Sequence, residues 1–393
     1  QNNGNKLVSD NFDFAKRQMV HMLENIPQGE AKMPHSINGK GNTSCRSIYW
    51  WTSGFFPGIL WYINEYTGDK TFESFAKKWT EKLEPVKTFK GNHDIGFMMY
   101  CSFGNAYRLT QNEKYKDILI QSAYSLATRF NPQVGTIKSW DSWRSWENKH
   151  VFKYPVIIDN MMNLELLFWA SKATGDPSFR NIAISHAEKT MKYQIRKDGS
   201  RYHLACYDPE TGNFIKGETS QGYSNESTWS RGQGWGIYGF TLCYRETKDP
   251  RFLKTAQRMA DYYINHPNLP SDKIPWRDFD THRPGFIPGK FSKTNKYIQN
   301  YRDASAASVT ASALLELSSY VKDDKKKIYT ETALQILTSL SSPEYRAEEG
   351  KNGNFILKHS TGAIPHGSEV DVPLIYADYY FLEALLRYNR MIN

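Results

Sequence analysis

Four short stretches, TGDKTF (Thr67 to Phe72), TQNEKY (Thr110 to Tyr115), TGDPSF (Thr174 to Phe179) and TKDPRF (Thr247 to Phe252), share the pattern T-x-[DN]-x-x-[FY]. Each follows an apolar run and precedes an amphipathic one, the arrangement of a tight link between two helices. In such a link Gly, Gln or Lys ends the first helix, Asp or Asn caps the second, and the aromatic ring docks it. VKDDKKKIY (Val321 to Tyr329) is a looser fifth copy, and its charged run Lys322 to Lys327 reads as a solvated turn.

The segments before the turns, such as NMMNLELLFWASKA, are apolar nearly all round, as helices buried on both sides are. Those after the turns are one-sided: Phe179, Ile182, Ala183, Ala187 and Met191 fall three and four apart with charges between. Five such pairs, with FDFAKRQMVHMLENI at the start and PLIYADYYFLEALLRYNRMI at the end, make twelve helices. The expected fold is all-α, an (α/α)6 toroid occupying 1–393 as a single domain. Length alone favours two or three domains, and an open solenoid or two bundles are the alternatives.

If the inner helices run parallel, their N-termini gather at one mouth. The segments that precede them are SCRSIYWWTSGFFPG, GNHDIGF, VIIDNMMN, SNESTWSRGQGW, YRDASAAS and HGSEVDVP. Two inserts should arch over the same rim: a β-hairpin around DPETGN within Asp198 to Thr228, and TIKSWDSWRSW.

Among these segments Asp159 raises a chemical question, because it sits between apolar neighbours. A carboxylate taken out of water without a partner costs several kcal/mol or gives up its charge. It is therefore a cap, half of a buried ion pair, or a working acid. The chain is 15% aromatic with a formal charge of +9, and its mean hydropathy is −0.65. Rings that line a polar cleft as well as a core suit a sugar ligand, and the charge favours an anionic one. Lys and Arg are scattered, so no nucleic-acid partner is expected. No apolar run is long enough for membrane insertion. Cys45, Cys101, Cys206 and Cys243 show no zinc spacing and read as buried free thiols. The chain opens at Gln1 rather than Met, as a mature periplasmic or secreted protein or a trimmed one does, with a cytoplasmic location as the alternative.

The motifs WTSGFFPG, HDIGFMM, DNMMNLELLFWA, TWSRGQGWGIYGF, RDASAAS and ADYYFLEALLR resemble the unsaturated glucuronyl hydrolases, glycoside hydrolase family 88, from about Trp50 to the C-terminus. The unsaturated rhamnogalacturonyl hydrolases share an R-G-x-x-W element and are the nearer alternative. The resemblance implies removal of a 4,5-unsaturated uronic acid from the non-reducing end of a lyase-generated acidic oligosaccharide. Protonation at C4 of the vinyl ether and addition of water at C5 yield a hemiketal, which opens and releases the next sugar.

By the same resemblance Asp159 is the acid and base, Asp94 its partner, and Trp51, Trp140, His203, Gln221, Trp229, Arg231, Trp235 and Ser368 bind substrate. Read from the residues alone, Asp94 and Asp159 are also plausible caps, Trp51, Trp229 and Trp235 core residues, Arg231 a structural ion pair and His203 an exposed strand residue. Burial and a neighbouring carboxylate are expected to raise the Asp159 pKa against the pull of a helix N-terminus. No cofactor is expected. GWGIYG (Gly234 to Gly239) lacks the strand a nucleotide loop needs and reads as close helix packing, and the ten His show no metal-ligand spacing. A polysaccharide lyase and a non-catalytic glycan binder are the rival classes.

Overall fold

The structure is a computed structural model describing residues 2–26, 32–294 and 300–393; Gln1 lies outside them. The chain is mostly helical with small antiparallel sheets. Its helices are α1 (Asn2–Asn25), α2 (Phe55–Thr67), α3 (Lys70–Glu81), α4 (Ile95–Met99, continuing through Tyr100–Gly104 and Asn105–Thr110) and α5 (Glu113–Ala127). Then follow α6 (Leu164–Thr174), α7 (Pro177–Tyr193), α8 (Ser230–Thr247), α9 (Pro250–Asn265), α10 (Ala304–Ser318), α11 (Asp323–Leu340) and α12 (Ile375–Ile392).

The repeated turn owes its form to a set of short hydrogen bonds. Thr67, Thr110, Thr174 and Thr247 each donate a hydroxyl to the carbonyl four residues back at 2.6–2.7 Å. The same hydroxyl accepts the N–H of Asp69, Asn112, Asp176 or Asp249. That side chain in turn accepts the N–H two residues on at 2.8–2.9 Å, which caps the next helix. The intervening residue is left-handed: Gly68, Gln111, Gly175 and Lys248 have φ of 70°, 57°, 78° and 58°. Phe72, Tyr115, Phe179 and Phe252 are buried behind the turns. The fifth copy departs from this scheme. Lys322 makes no side-chain cap, and the charged run forms the exposed first turn of α11 rather than a free turn.

The helices before the turns pack against one another in sequence, α4 on α2, α6 on α4, α8 on α6, α10 on α8 and α12 on α10, while α12 also packs on α2 and α1. The others pair outside them: α3 with α2, α7 with α6, α9 with α8 and α11 with α10. Helix α4 is not the regular helix expected, since Tyr100–Gly104 is a π-helical turn. Ser102 Oγ and Asn105 Nδ2 donate to the carbonyls of Met98 and Cys101, which stabilises the wider turn.

Strands are more numerous than the single expected hairpin. β1 (Lys32–Ile37) pairs with β2 (Thr43–Ser47), β3 (Phe130–Asn131) with β4 (Thr136–Ile137), and β5 (Trp143–Arg144) with β6 (Val151–Phe152). The expected hairpin is β8 (Leu204–Tyr207) with β9 (Phe214–Glu218), and β7 (Pro155–Ile157) adds to it as a third antiparallel strand. Ile157 lies opposite Leu204, and Leu204 opposite Glu218. This register hands the chain from the sheet directly into the Asp159 turn. Of the cysteines, Cys101, Cys206 and Cys243 are buried as expected, whereas Cys45 on β2 is only partly so.

Candidate active site

Asp159 lies in a 3-10 turn, Ile158–Asn163, which leads from β7 into α6. Two polar anchors fix the turn. Ile158 N donates to His203 O at 2.9 Å, and Asn160 Nδ2 donates to Ile137 O at 3.0 Å. Asn163 Oδ1 then accepts the N–H of Phe97 at 2.9 Å, tying the Asp159 turn to the start of α4. A side chain at Gly96 would put its Cβ 2.5 Å from that Asn163 oxygen, so the approach requires glycine. Gly239 lets α8 close on the other side, where a Cβ would meet Met161 Cβ at 2.4 Å. GWGIYG is thus part of a buried helix, as read from the sequence.

Asp94 occupies the cap position of α4, yet its side chain makes no capping hydrogen bond. Its Oδ1 instead lies 3.1 Å from Nε2 of the buried His93. Asp94 and Asp159 line one cleft of about 570 Å³. The cleft is built from four of the six segments named above, those of Trp51, Asp94, Asp159 and Ser368, together with the Trp-rich insert and Ser220 and Gln221 of the hairpin insert. Asp159 is only 6% exposed, so it lies at the floor. A second cavity of about 490 Å³ opens among α2, α4, α6, α8 and α12. There Arg245 pairs with Glu165 and Glu316, and Arg387 with Glu316 and Glu383.

The electrostatics of Asp159 overturn the sequence expectation. Burial pushes its carboxyl up, but His203, His93 and Arg231 together outweigh burial and hold its pKa below the ordinary carboxylate value. Asp94 is not among the leading influences. The expectation failed because three surrounding side chains, remote in sequence, face the anion. His203 has a fixed role in this: its Nδ1 accepts the N–H of Ser220 at 3.0 Å. A ring nitrogen that accepts a hydrogen bond carries no proton, so the neutral ring is protonated at Nε2. That atom faces Asp159 Oδ1 at 3.6 Å. Burial lowers the His203 pKa, consistent with a neutral ring.

Of the substrate-binding candidates, Trp51, Trp140, Gln221 and Ser368 line the cleft. Trp51 also packs on Phe55, Phe97 and Tyr376. His203, Trp229 and Arg231 lie buried behind the floor. His203 is therefore not the exposed strand residue that its sequence context alone allowed. The Trp229 ring packs 4.6 Å from His203 and carries the Arg231 guanidinium 4.6 Å from its centroid. Arg231 pairs with Asp303 at 3.1 Å and donates to the carbonyls of Thr361 and Gly362, so the structural ion pair is real. Trp235 has no exposed surface and packs against Phe97 and Tyr380, which makes it core beneath the cleft.

Arg46, Trp50, Asn92, Trp143, His366 and Glu369 also line the cleft and were not singled out as binding residues. The doublet YWW and the Trp cluster around Trp143 were the available signals. Arg46 gave none, since a lone Arg in a β-hairpin has no signature. Among the described residues no group of three His, Cys, Asp or Glu side chains is placed to share a metal ion.

Residues 24–246 match the description Glycosyl Hydrolase Family 88. The chain belongs to this family. It is 45% identical to an unsaturated glucuronyl hydrolase of Formosa agariphila, over 87% of this chain and 80% of that protein. An unsaturated chondroitin disaccharide hydrolase of Streptococcus pyogenes is 33% identical, over 87% of this chain and 82% of that protein. Among solved structures, an unsaturated glucuronyl hydrolase specific for heparin superposes with a TM-score of 0.89 at 44% identity, covering 98% of each chain. The likeness to that family 88 structure thus extends over nearly the whole fold.

Proposed function

We propose that this family 88 chain is a hydrolase that removes the 4,5-unsaturated uronic acid from the non-reducing end of lyase-generated, glycosaminoglycan-type oligosaccharides. The observation that carries the reading is the placing of Asp94 and Asp159 in one cleft, on turns clamped together by Asn163. The activities named for the relatives point the same way. In this reading the helices form one (α/α)6 catalytic domain over 1–393; the packing of α12 on α1 and α2 supports closure.

Asp159 is the general acid that protonates C4 and the base that then takes a proton from the water adding at C5. Asp94 orients that water. Against the pull of burial, His203, His93 and Arg231 hold Asp159 as an anion. The substrate brings its own carboxylate on C5 and displaces water, both of which push the Asp159 pKa up and favour proton uptake. Trp51, Trp140, Gln221 and Ser368 position the sugar from the walls, while His203, Trp229 and Arg231 hold the floor. Trp235 supports them from the core.

The reaction run in heavy water tests this reading. One deuterium at C4 and solvent ¹⁸O at C5 are expected, with no cleavage of the saturated analogue. Oxygen label at the anomeric carbon, or hydrolysis of the saturated sugar, would overturn it. Absorbance of the conjugated uronate falls with a hydrolase, rises with a lyase and stays constant with a binder.

A further inference from the structure

Among the residues that line the cleft, Arg46 is the one Lys or Arg, set against the carboxylates Asp94, Asp159 and Glu369. It is carried on β2, opposite Met33 of β1. Its guanidinium carbon lies 5.0 Å from the centre of the Trp50 ring, and Trp50 is 40% exposed. No carboxylate takes Arg46 as an ion-pair partner among the described residues; Glu369, on the same wall, is held by His35. The result is a permanent cation beside an exposed indole; it also helps to hold the Glu369 carboxyl low, after burial, His35 and Arg231.

Depth in the cleft decides what that cation meets. The reading above requires C4 and C5 of the uronate to reach Asp159 at the floor. C1 lies across the six-membered ring from C4, so the glycosidic oxygen and the sugar attached to it point back toward the rim. Arg46 and Trp50 are at the rim. A planar guanidinium offers two parallel donors to an oxyanion, and stacking on a ring keeps it oriented. The uronate carboxylate, bonded to C5, stays at the floor near Arg231. The anion within reach of Arg46 therefore belongs to the second sugar.

We propose that Arg46, positioned by Trp50, forms a subsite for a sulfate group carried by the sugar next to the unsaturated uronate. The inference rests on the hydrolase reading for the direction of the substrate, and it extends that reading to a preference among substrates. Sulfate esters and N-sulfates share the required chemistry.

The test uses unsaturated disaccharides carrying no sulfate, an N-sulfate or a 6-O-sulfate on the second sugar, with wild type, Arg46→Ala, Arg46→Lys and Trp50→Ala. For at least one sulfated sugar, Arg46→Ala should cut the preference over the unsulfated one by about tenfold, through KM rather than kcat. Arg46→Lys should keep part of that preference, and raised salt should erode it in the wild type. The sulfate position with the larger loss identifies the group bound. Equal weakening of all three sugars by Arg46→Ala, or an unchanged preference, would overturn the proposal. Calorimetric binding to Asp159→Asn, with and without Arg46→Ala, gives the same ratio without turnover. An Arg46-dependent preference in binding, with no loss of the alkene in wild type, would sink the hydrolase reading and leave the subsite standing. Turnover without such a preference would do the reverse.

Discussion

The Nε2 of His203 faces Oδ1 of Asp159 at 3.6 Å, and the Ser220 N–H on the opposite ring nitrogen prevents the ring from turning its other edge to the acid. His203 thereby acts as a fixed neutral donor toward Asp159. His203→Leu should remove that donor and leave burial unopposed, so the Asp159 pKa rises. The fall of kcat/KM with pH should move to higher pH. An unshifted profile would show that His203 does not act on Asp159.

In the wild type the acid form of Asp159 is populated only below its depressed pKa. Activity dependent on that form in the free enzyme should give kcat/KM that falls about tenfold per pH unit above that pKa. Stability should run the other way. A depressed carboxylate contributes stability that is present above its unfolded pKa of about 3.9 and is lost as pH falls through the folded value. Kinetics and thermal unfolding measured over the same acidic range check both slopes.

Asp159→Asn should reduce turnover by about 10²–10⁴-fold while the protein stays folded, because Asn keeps the shape without the transferable proton. Asp94→Asn should also slow turnover. Its side chain makes no capping bond, so the thermal midpoint should move by less than in a true cap variant. Activity of Asp159→Asn within about threefold of wild type would remove it from the mechanism.

The true caps give the contrasting result. Asp176→Ala removes the acceptor for the Ser178 N–H and should cost about 1 kcal/mol with kinetics unchanged. Gln111→Gly should act in the opposite sense. Gln111 sits at φ 57°, where an L side chain costs roughly 1–2 kcal/mol, partly offset by the greater freedom of glycine in the unfolded chain. Denaturant midpoints of the two variants, measured side by side, should bracket the wild type.

The helical plan was legible because the turn chemistry is local. Thr, Asp and the aromatic ring of each link lie within six residues, and their bonds can be read directly from the pattern. The candidate site was legible to the extent that it, too, lies in segments fixed by that plan, as Asp94 and Asp159 do. What could not be read depends on distant parts of the chain. The Asp159 pKa is set by His203, His93 and Arg231, and Arg46 gains its place only when β2 is folded beside the cleft. Trp235 shows the same limit: a Trp between glycines fits a cleft or a core equally well, and only Phe97 and Tyr380 decide for the core.

The packing of α12 against α1 and α2 also bears on how the molecule comes to be folded. Each helix pair can form early from contacts a few residues apart, but this seam joins helices far apart in the sequence. Its closure must overcome the loop entropy of all the chain between α2 and α12, which places it late among folding events. During synthesis on the ribosome α1 and α2 wait, with apolar faces uncovered, until α12 emerges. Aggregation should therefore be most sensitive to truncations within α12, even though the paired aspartates and their turns would already have been made.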